Sequence, residues 1–321
     1  MILPIPRRSL GASGLEAGAV GLGCMGMTWA YDVDDRDEAR SIAVMHRAIE
    51  LGVTLFDTAD MYGPFTNEEL VGRALHGRRD EVVLATKVGL VVEDPATYAM
   101  RRDGTPEHVR EGIDASLRRL QTDHVDLYQL HRVDENTPLE ETWAAMADVV
   151  RAGKARAIGL SEVTVDELDL AHAIHPVASV QSELSLWTRD RLEDVLPWCR
   201  EHDAAFIPYS PLGRGYLTGT VTAASLDDRD FRARNPRFTR EALTANLAIV
   251  ERVREVAQRV EATPAQVALA WVLARDERVL PIPGTRRVER VEENAAAANL
   301  VLSPQDLADL DAAPPPVGAR Y

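Results

Sequence analysis

A (β/α)8 TIM barrel with an N-terminal β-hairpin and extra C-terminal helices is the α/β fold this sequence predicts, on three observations. Short β-branched runs alternate with stretches whose apolar residues fall at helical spacing, the pattern of parallel strands joined by crossover helices. Eight such runs lie between Ala19 and Pro283. No Pro/Gly/Ser linker or shift of composition divides them, so residues 1–321 read as a single domain. Alternating units of this number favour a closed barrel over an open, doubly wound sheet.

Taken in order, Arg7 to Gly23 places Gly11, Gly14 and Gly18 between short apolar runs and predicts a hairpin leading into the strand AVGLG. Gly21, Gly23 and Gly26 fit G-x-G-x-x-G, yet MTWAYDVDD follows instead of a helix, so no helix N-terminus is there to meet a phosphate. The acidic run Asp32 to Glu38 lacks the glycine and ligand spacing of a calcium loop and reads as a solvated loop and helix start. A helix over Arg36 to Leu51 precedes the strand that ends on Asp57. A helix near Asn67 to His76 precedes EVVLAT, which ends on Lys87. Further strands are DHVDLYQLH to His131, RAIGLS to Ser161, VASVQS with Gln181, AAFIPYS to Ser210, and VLPIP. Helices are expected over Thr105 to Leu120, from Thr137 and Thr164, over Arg189 to His202, around Glu241 to Arg259, over Pro264 to Ala274, and from Val288. Threonine before proline caps a helix while the proline sits where no amide hydrogen is needed. That device recurs at Thr105, Thr137 and Thr263, with Ser303-Pro304 as a variant, and both Thr137 and Thr164 read as capping boxes.

With 45% hydrophobic residues the chain can bury a sizeable core. A formal net charge of −15 and a pI near 5.0 oppose binding to nucleic acid or to acidic membranes. Two cysteines, Cys24 and Cys199, fit a reducing compartment, and no apolar run reaches the length of a membrane span. The expectation is a soluble cytoplasmic protein.

In such a barrel the active site lies at the C-terminal ends of the strands, where Asp57, Lys87, His131, Ser161, Gln181, Tyr209 and Ser210 fall. Asp57 and Lys87 end neighbouring strands, with Tyr62 in the loop between. Lys87 can then be held charged by Asp57 and lower the pKa of the Tyr62 phenol, which suits a general acid and base. Taken singly, each could instead be a loop cap, a packed ring or a solvated amine. His131 could be a buried strand-end histidine with a backbone partner.

The motifs FDTADMYG, LATKVG, DLYQLH, GLSE, IPYSPLGRGYLTG and IPGTRRVERVEEN, in this order from about Gly21 to Asn294, resemble those of the aldo-keto reductases. The GLGCMGM stretch is similar to their bacterial and plant branch. The resemblance implies reversible hydride transfer from NADPH to a small aldehyde or ketone, with Asp57, Tyr62, Lys87 and His131 as the catalytic tetrad. It also implies that Tyr209 stacks on the nicotinamide, Ser161 and Gln181 bind its carboxamide, and Cys24 and Met25 border the cofactor. Ser210, Pro211, Leu212, Gly213 and Gly215 would run along the pyrophosphate. Beyond Gly284 and Thr285, Arg286 and Arg290 would hold the 2′-phosphate, and Glu293 and Asn294 the adenine. The charged stretch from Tyr216 to Arg240 could close over the cofactor or be a surface excursion. Arg286 and Arg290 could equally be helix-surface charges paired with Glu289 or Glu293. Three positions depart from the family pattern: Glu162 in place of asparagine, Gly284 in place of lysine and Leu184 in place of tyrosine.

Two other readings remain open at this level. One is a non-enzymatic regulatory subunit on the same barrel, and the other an aldolase using Lys87 as a Schiff base, which a charged Lys87 opposes. Met27, Trp29, Tyr31 and Trp187 are candidates for a pocket wall, and the proline-rich C-terminus is expected to add little to it. Oligomeric state and physiological substrate are not legible.

Overall fold

In the computed structural model, residues 4–31, 33–222, 226 and 230–320 are described. Asp32 of the acidic run and positions 223–225 and 227–229 of the long charged stretch lie outside them. A hairpin of β1 (Arg7–Ser9) and β2 (Glu16–Gly18) precedes β3 (Leu22–Gly23), α1 (Glu38–Glu50), β4 (Leu55–Asp57), α2 (Thr66–Ala74) and β5 (Val83–Val88). A second hairpin follows, β6 (Leu90–Asp94) and β7 (Ala99–Arg102), and then α3 (Pro106–Leu120), β8 (Val125–Leu130), α4 (Leu139–Arg151) and β9 (Ala155–Ser161). The chain continues through α5 (Val165–Ile174), β10 (Ser179–Glu183), α6 (Val195–Glu201), β11 (Ala205–Tyr209), α7 (Arg240–Ala245), α8 (Leu247–Arg259), α9 (Pro264–Leu273), α10 (Val288–Ala296) and α11 (Pro304–Asp311).

Seven parallel strands run in the order β3-β4-β5-β8-β9-β10-β11. The run Val279 to Pro283 closes the ring as the eighth staves of a barrel do, but with half a ladder. Leu280 and Ile282 donate to the carbonyls of Phe206 and Pro208 at 2.9 and 3.0 Å, and the carbonyls of Pro281 and Pro283 accept from Gly21 and Gly23 at 2.9 and 3.3 Å. The prolines have no N–H, so the edge facing β3 offers acceptors only. The expected eighth strand is therefore a set of bridges.

Leu55, Val83, Ala85, Leu127, Ala157, Ala205, Ile207, Leu280 and Ile282 fill the barrel, joined from below by Leu10, Leu15 and Ala17 of the first hairpin. That hairpin is tied to strand beginnings: the Ala12 amide donates to the Asp203 carbonyl at 2.8 Å, and the Gly18 amide to Thr54 Oγ1 at 3.0 Å. One end of the barrel is thus plugged, and the polar strand ends sit at the other. Outward residues such as Phe56, Leu84, Tyr128, Ile158 and Phe206 pack against the helices.

Local expectations met three corrections. Thr105 caps α3, and Thr164, Thr263 and Ser303 form complete capping boxes, but Thr137 does not cap α4. Its hydroxyl donates to Asp134 at 3.0 Å, and Pro138 occupies the cap position itself. The helix expected over Arg189 to His202 is split, because the Asp194 side chain accepts from the Val195 amide and starts α6 afresh. The hairpin β6–β7 was not anticipated; its alternating sequence follows β5 so closely that it reads as an extension of that strand.

Candidate active site

Side chains two residues apart on a strand share a face, so the apolar filling continues upward into a polar layer. Leu55 is followed by Asp57, Ala85 by Lys87, Leu127 by Gln129 and His131, and Ala157 by Gly159 and Ser161. The register sets Asp57 opposite Ala85 and Lys87 opposite Gln129. Lys87 is fully buried, and its Nζ donates to Asp57 Oδ1 at 2.5 Å, to the Thr58 carbonyl at 2.9 Å and to the Tyr62 hydroxyl at 3.3 Å. The other Asp57 oxygen accepts from Gln181 at 2.7 Å and from Gln129 at 3.3 Å. His131 stands edge-on to Tyr62, with ring centroids 5.8 Å apart. The structure therefore brings Asp57, Tyr62, Lys87 and His131 together.

Burial alone would lower the Lys87 pKa, but Asp57 and Tyr62 outweigh it and hold the amine above its ordinary value, as an ammonium. For Tyr62, burial raises the pKa and exceeds the opposing pull of Lys87. The expectation of a phenol lowered by its neighbour is corrected here: burial is the larger effect, and Asp57 beside the ammonium opposes part of the lowering that Lys87 exerts. Burial, then Lys87 and Arg132, push His131 well below the ordinary imidazole value, so it is neutral at physiological pH. Its Nδ1 is buried with no hydrogen-bond partner among the described residues, so the backbone partner of the alternative reading is not found.

Three contributors escaped sequence reasoning. Gln129 shares the inward column of His131, which was the available signal. Asn67 accepts from Thr58 Oγ1 at 2.7 Å and donates to the Cys24 carbonyl at 2.9 Å, pinning the loop after Asp57 to β3. Arg132 donates to Ser161 Oγ at 3.1 Å.

Among the expected cofactor residues, Ser161 lies opposite Gln181 and Tyr209 opposite Glu183, so the three line adjacent strand ends. Gln181 spends its amide on Asp57. Ser210, Pro211 and Leu212 begin a turn in which the Gly213 and Gly215 amides donate inward, to Ser210 and Leu212 carbonyls at 2.9 and 3.1 Å. Cys24 is buried with its amide on the Asp57 carbonyl at 2.9 Å, and Met25 beside it is half-buried. Gly284 bridges Gly23, and a Cβ there would lie 3.0 Å from the Gly23 carbonyl, a physical reason for the missing lysine. Thr285 Oγ1 accepts from the Arg287 amide at 3.1 Å. Arg286 lies 3.6 Å from Asp35, while Arg290 lies 2.5 Å from Glu293, the surface pairing named as its alternative. Asn294 is buried on the same helix.

The sequence pattern that defines the aldo/keto reductase family matches residues 19–314. The chain belongs to the aldo/keto reductase family. It is 43% identical over 316 residues to a probable aldo-keto reductase 1 of Glycine max, covering 97% of this chain and 90% of that one. The fold is similar to a glycerol dehydrogenase of Gluconobacter oxydans, with a TM-score of 0.86, 28% identity, and 95% and 94% of the two chains covered. It is also similar to an aldo/keto reductase of Klebsiella pneumoniae in complex with NADP and acetate, with a TM-score of 0.74, 30% identity and 98% and 99% coverage. The protein is an NAD(P)H-dependent oxidoreductase on a (β/α)8 barrel.

Two further features lie beside the strand ends. Glu162 has a left-handed backbone, φ 55°, and its Oε1 accepts from the Glu183 amide at 2.9 Å. Its Oε2 pairs with Arg320. The C-terminal segment, expected to add little, is thus anchored beside the strand ends. Asn235 donates to the Arg320 carbonyl at 2.7 Å, Arg237 to the Gly318 carbonyl at 3.2 Å, and Asn246 to the Val317 carbonyl at 3.0 Å. The same Asn246 separates α7 from α8.

The pocket-wall candidates divide. Trp29 and Tyr31 cluster with Tyr62 and with Tyr98 of the second hairpin, Trp29 meeting Tyr98 edge-on at 5.0 Å. Trp187 is buried and stacked on Tyr216 at 4.4 Å, and Met27 is buried in the helix-side core, as is Leu184. From the charged stretch, Arg232 reaches back to the Arg214 carbonyl at 3.0 Å and lies 5.1 Å from the Tyr31 ring. Among the described residues no helix is long and apolar enough to cross a membrane.

Proposed function

We propose that this reductase interconverts an aldehyde or ketone and its alcohol using NADP(H), with Tyr62 as general acid and base and residues 1–321 acting as one unit. The observation that carries the reading is the buried chain from Asp57 through Lys87 to Tyr62, with neutral His131 beside it. Bound at the strand ends, the dihydronicotinamide supplies the hydride. A carbonyl that accepts hydride leaves an oxygen needing a proton, and Tyr62 donates it. Lys87 stabilises the phenolate left behind, Asp57 keeps Lys87 charged, and a neutral His131 N–H steers the carbonyl oxygen. An amine so paired is a poor Schiff-base nucleophile, which counts against the aldolase reading.

The residues present suit NADP(H). Arg286 and Arg290 bring two guanidinium groups to the start of α10, where a 2′-phosphate can be met by bidentate hydrogen bonds. Ser161 would offer its hydroxyl and Gln181 its side-chain carbonyl oxygen to the carboxamide, the Gln181 NH2 being held by Asp57, and Tyr209 would offer its ring. Cys24, Met25, Ser210, Pro211, Leu212, Gly213, Gly215, Gly284, Thr285, Glu293 and Asn294 would complete the cleft. Steady consumption of NADPH with 4-nitrobenzaldehyde tests the reading; tight NADPH binding without turnover would instead support a regulatory subunit. Arg286→Ala is expected to weaken NADPH binding by about 10–100-fold and NADH binding far less. Equal weakening of both in calorimetric titrations would remove its 2′-phosphate role.

A further inference from the structure

Arginines crowd the ends of β9 and β10, and most are matched by carboxylates. Arg191 lies 3.8 Å from Glu162, Arg214 lies 3.4 Å from Glu183, Arg237 lies 4.0 Å from Glu183, and Arg320 pairs with Glu162. Arg132 differs. It follows His131 directly and is half-buried, yet among the described residues no carboxylate lies within ion-pair reach of it. Its Nη1 donates to the His131 carbonyl at 2.6 Å and to Ser161 Oγ at 3.1 Å, which fixes one end of the guanidinium. The Nε and Nη2 edge makes no hydrogen bond among the described residues. Its charge reaches the reacting groups, since it acts on the pKa of both Tyr62 and His131.

A partly desolvated cation without a counter-ion is costly, and a guanidinium edge with two free donors matches the two oxygens of a carboxylate. Glu162 feels the Arg132 charge but lies beyond ion-pair distance of it, its oxygens being committed to the Glu183 amide and to Arg320. We propose that Arg132 binds an anionic group of the substrate, so that the preferred substrates are short aldehydes or ketones carrying a carboxylate near the carbonyl. This rests on the Tyr62-centred reduction proposed above. A local cation of this kind would offset the repulsion of such a substrate by the overall charge of −15.

The test compares kcat/KM for a homologous series of ω-oxo acids with that for their methyl esters. At its best chain length the acid should be favoured by about 10–100-fold, and the ratio should fall to within about threefold of unity in Arg132→Gln. Arg132→Lys should keep an intermediate ratio, because it retains charge but not the two-donor edge. If Arg132 served only to position Ser161, both substrates would lose activity in parallel and the ratio would persist, overturning the inference. A variant that raised KM for NADPH without moving the ratio would overturn it too. Titration calorimetry of the matching ω-hydroxy acid into the NADP-loaded protein provides a second readout, with binding expected to weaken about tenfold or more in Arg132→Gln. Should 4-nitrobenzaldehyde not be reduced at all, the proposed reaction fails while the calorimetry still decides whether Arg132 binds the anion.

Discussion

Tyr62→Phe is expected to lower kcat for carbonyl reduction by about 10²–10⁴-fold while leaving NADPH affinity within about twofold. The variant removes one hydroxyl and keeps the ring that packs with Trp29, Ala59 and Met61, so the fold and the cleft persist. What it removes is the proposed proton donor, whose partner Lys87 lies 3.3 Å away. Single-turnover measurements with saturating NADPH separate the loss from changes in binding. Wild-type turnover in the variant would eliminate Tyr62 as the acid. The same reasoning sets the pH dependence. Burial holds the phenol protonated above its ordinary value, and Asp57 holds Lys87 charged above its own, so reduction should be nearly flat through neutral pH and decline on the alkaline side. Stability has two matching limbs. The raised Lys87 pKa contributes stability that is whole below the unfolded lysine value and is lost as pH rises through the folded one. The depressed His131 pKa works at the other end: below about pH 6.5 the unfolded chain takes up a proton that the fold refuses, and stability falls.

Asp57→Asn is expected to cost about 3–5 kcal/mol of stability as well as activity, because it leaves the Lys87 ammonium buried without its counter-charge. It also turns the two amide donors from Gln181 and Gln129 toward a neutral group. Urea unfolding of the single and double variants makes the test sharp. Asp57→Asn combined with Lys87→Met should be less destabilised than Asp57→Asn alone, since the double change removes the unpaired charge as well as its partner. Simple additivity, or a single-variant loss below about 1 kcal/mol, would mean that the buried pair is not what holds this end of the barrel.

The strand and helix alternation was legible because each element carries its own period, and caps such as Thr105, Thr164, Thr263 and Ser303 are read by residues only three positions away. The tetrad was legible for a related reason. Once strands are parallel neighbours, residues at their ends must converge, so Asp57, Lys87 and His131 could be named from spacing. Thr137 failed as a cap because its hydroxyl had a competing acceptor in Asp134. Propensity describes what a residue offers, not which partner takes it.

Tertiary structure alone decided the rest. The direction of the Tyr62 pKa depended first on how deeply the folded barrel buries the ring and then on the opposed charges of Lys87 and Asp57, groups remote in sequence. The docking of Arg320 on Glu162, the pairing of Arg286 with Asp35 and the lack, among the described residues, of an ion-pair partner for Arg132 are likewise long-range facts. Local periodicity follows from the covalent geometry of one segment and can be read along the chain. Charge matching in a cleft follows from which segments meet, and only the folded barrel brings them within reach.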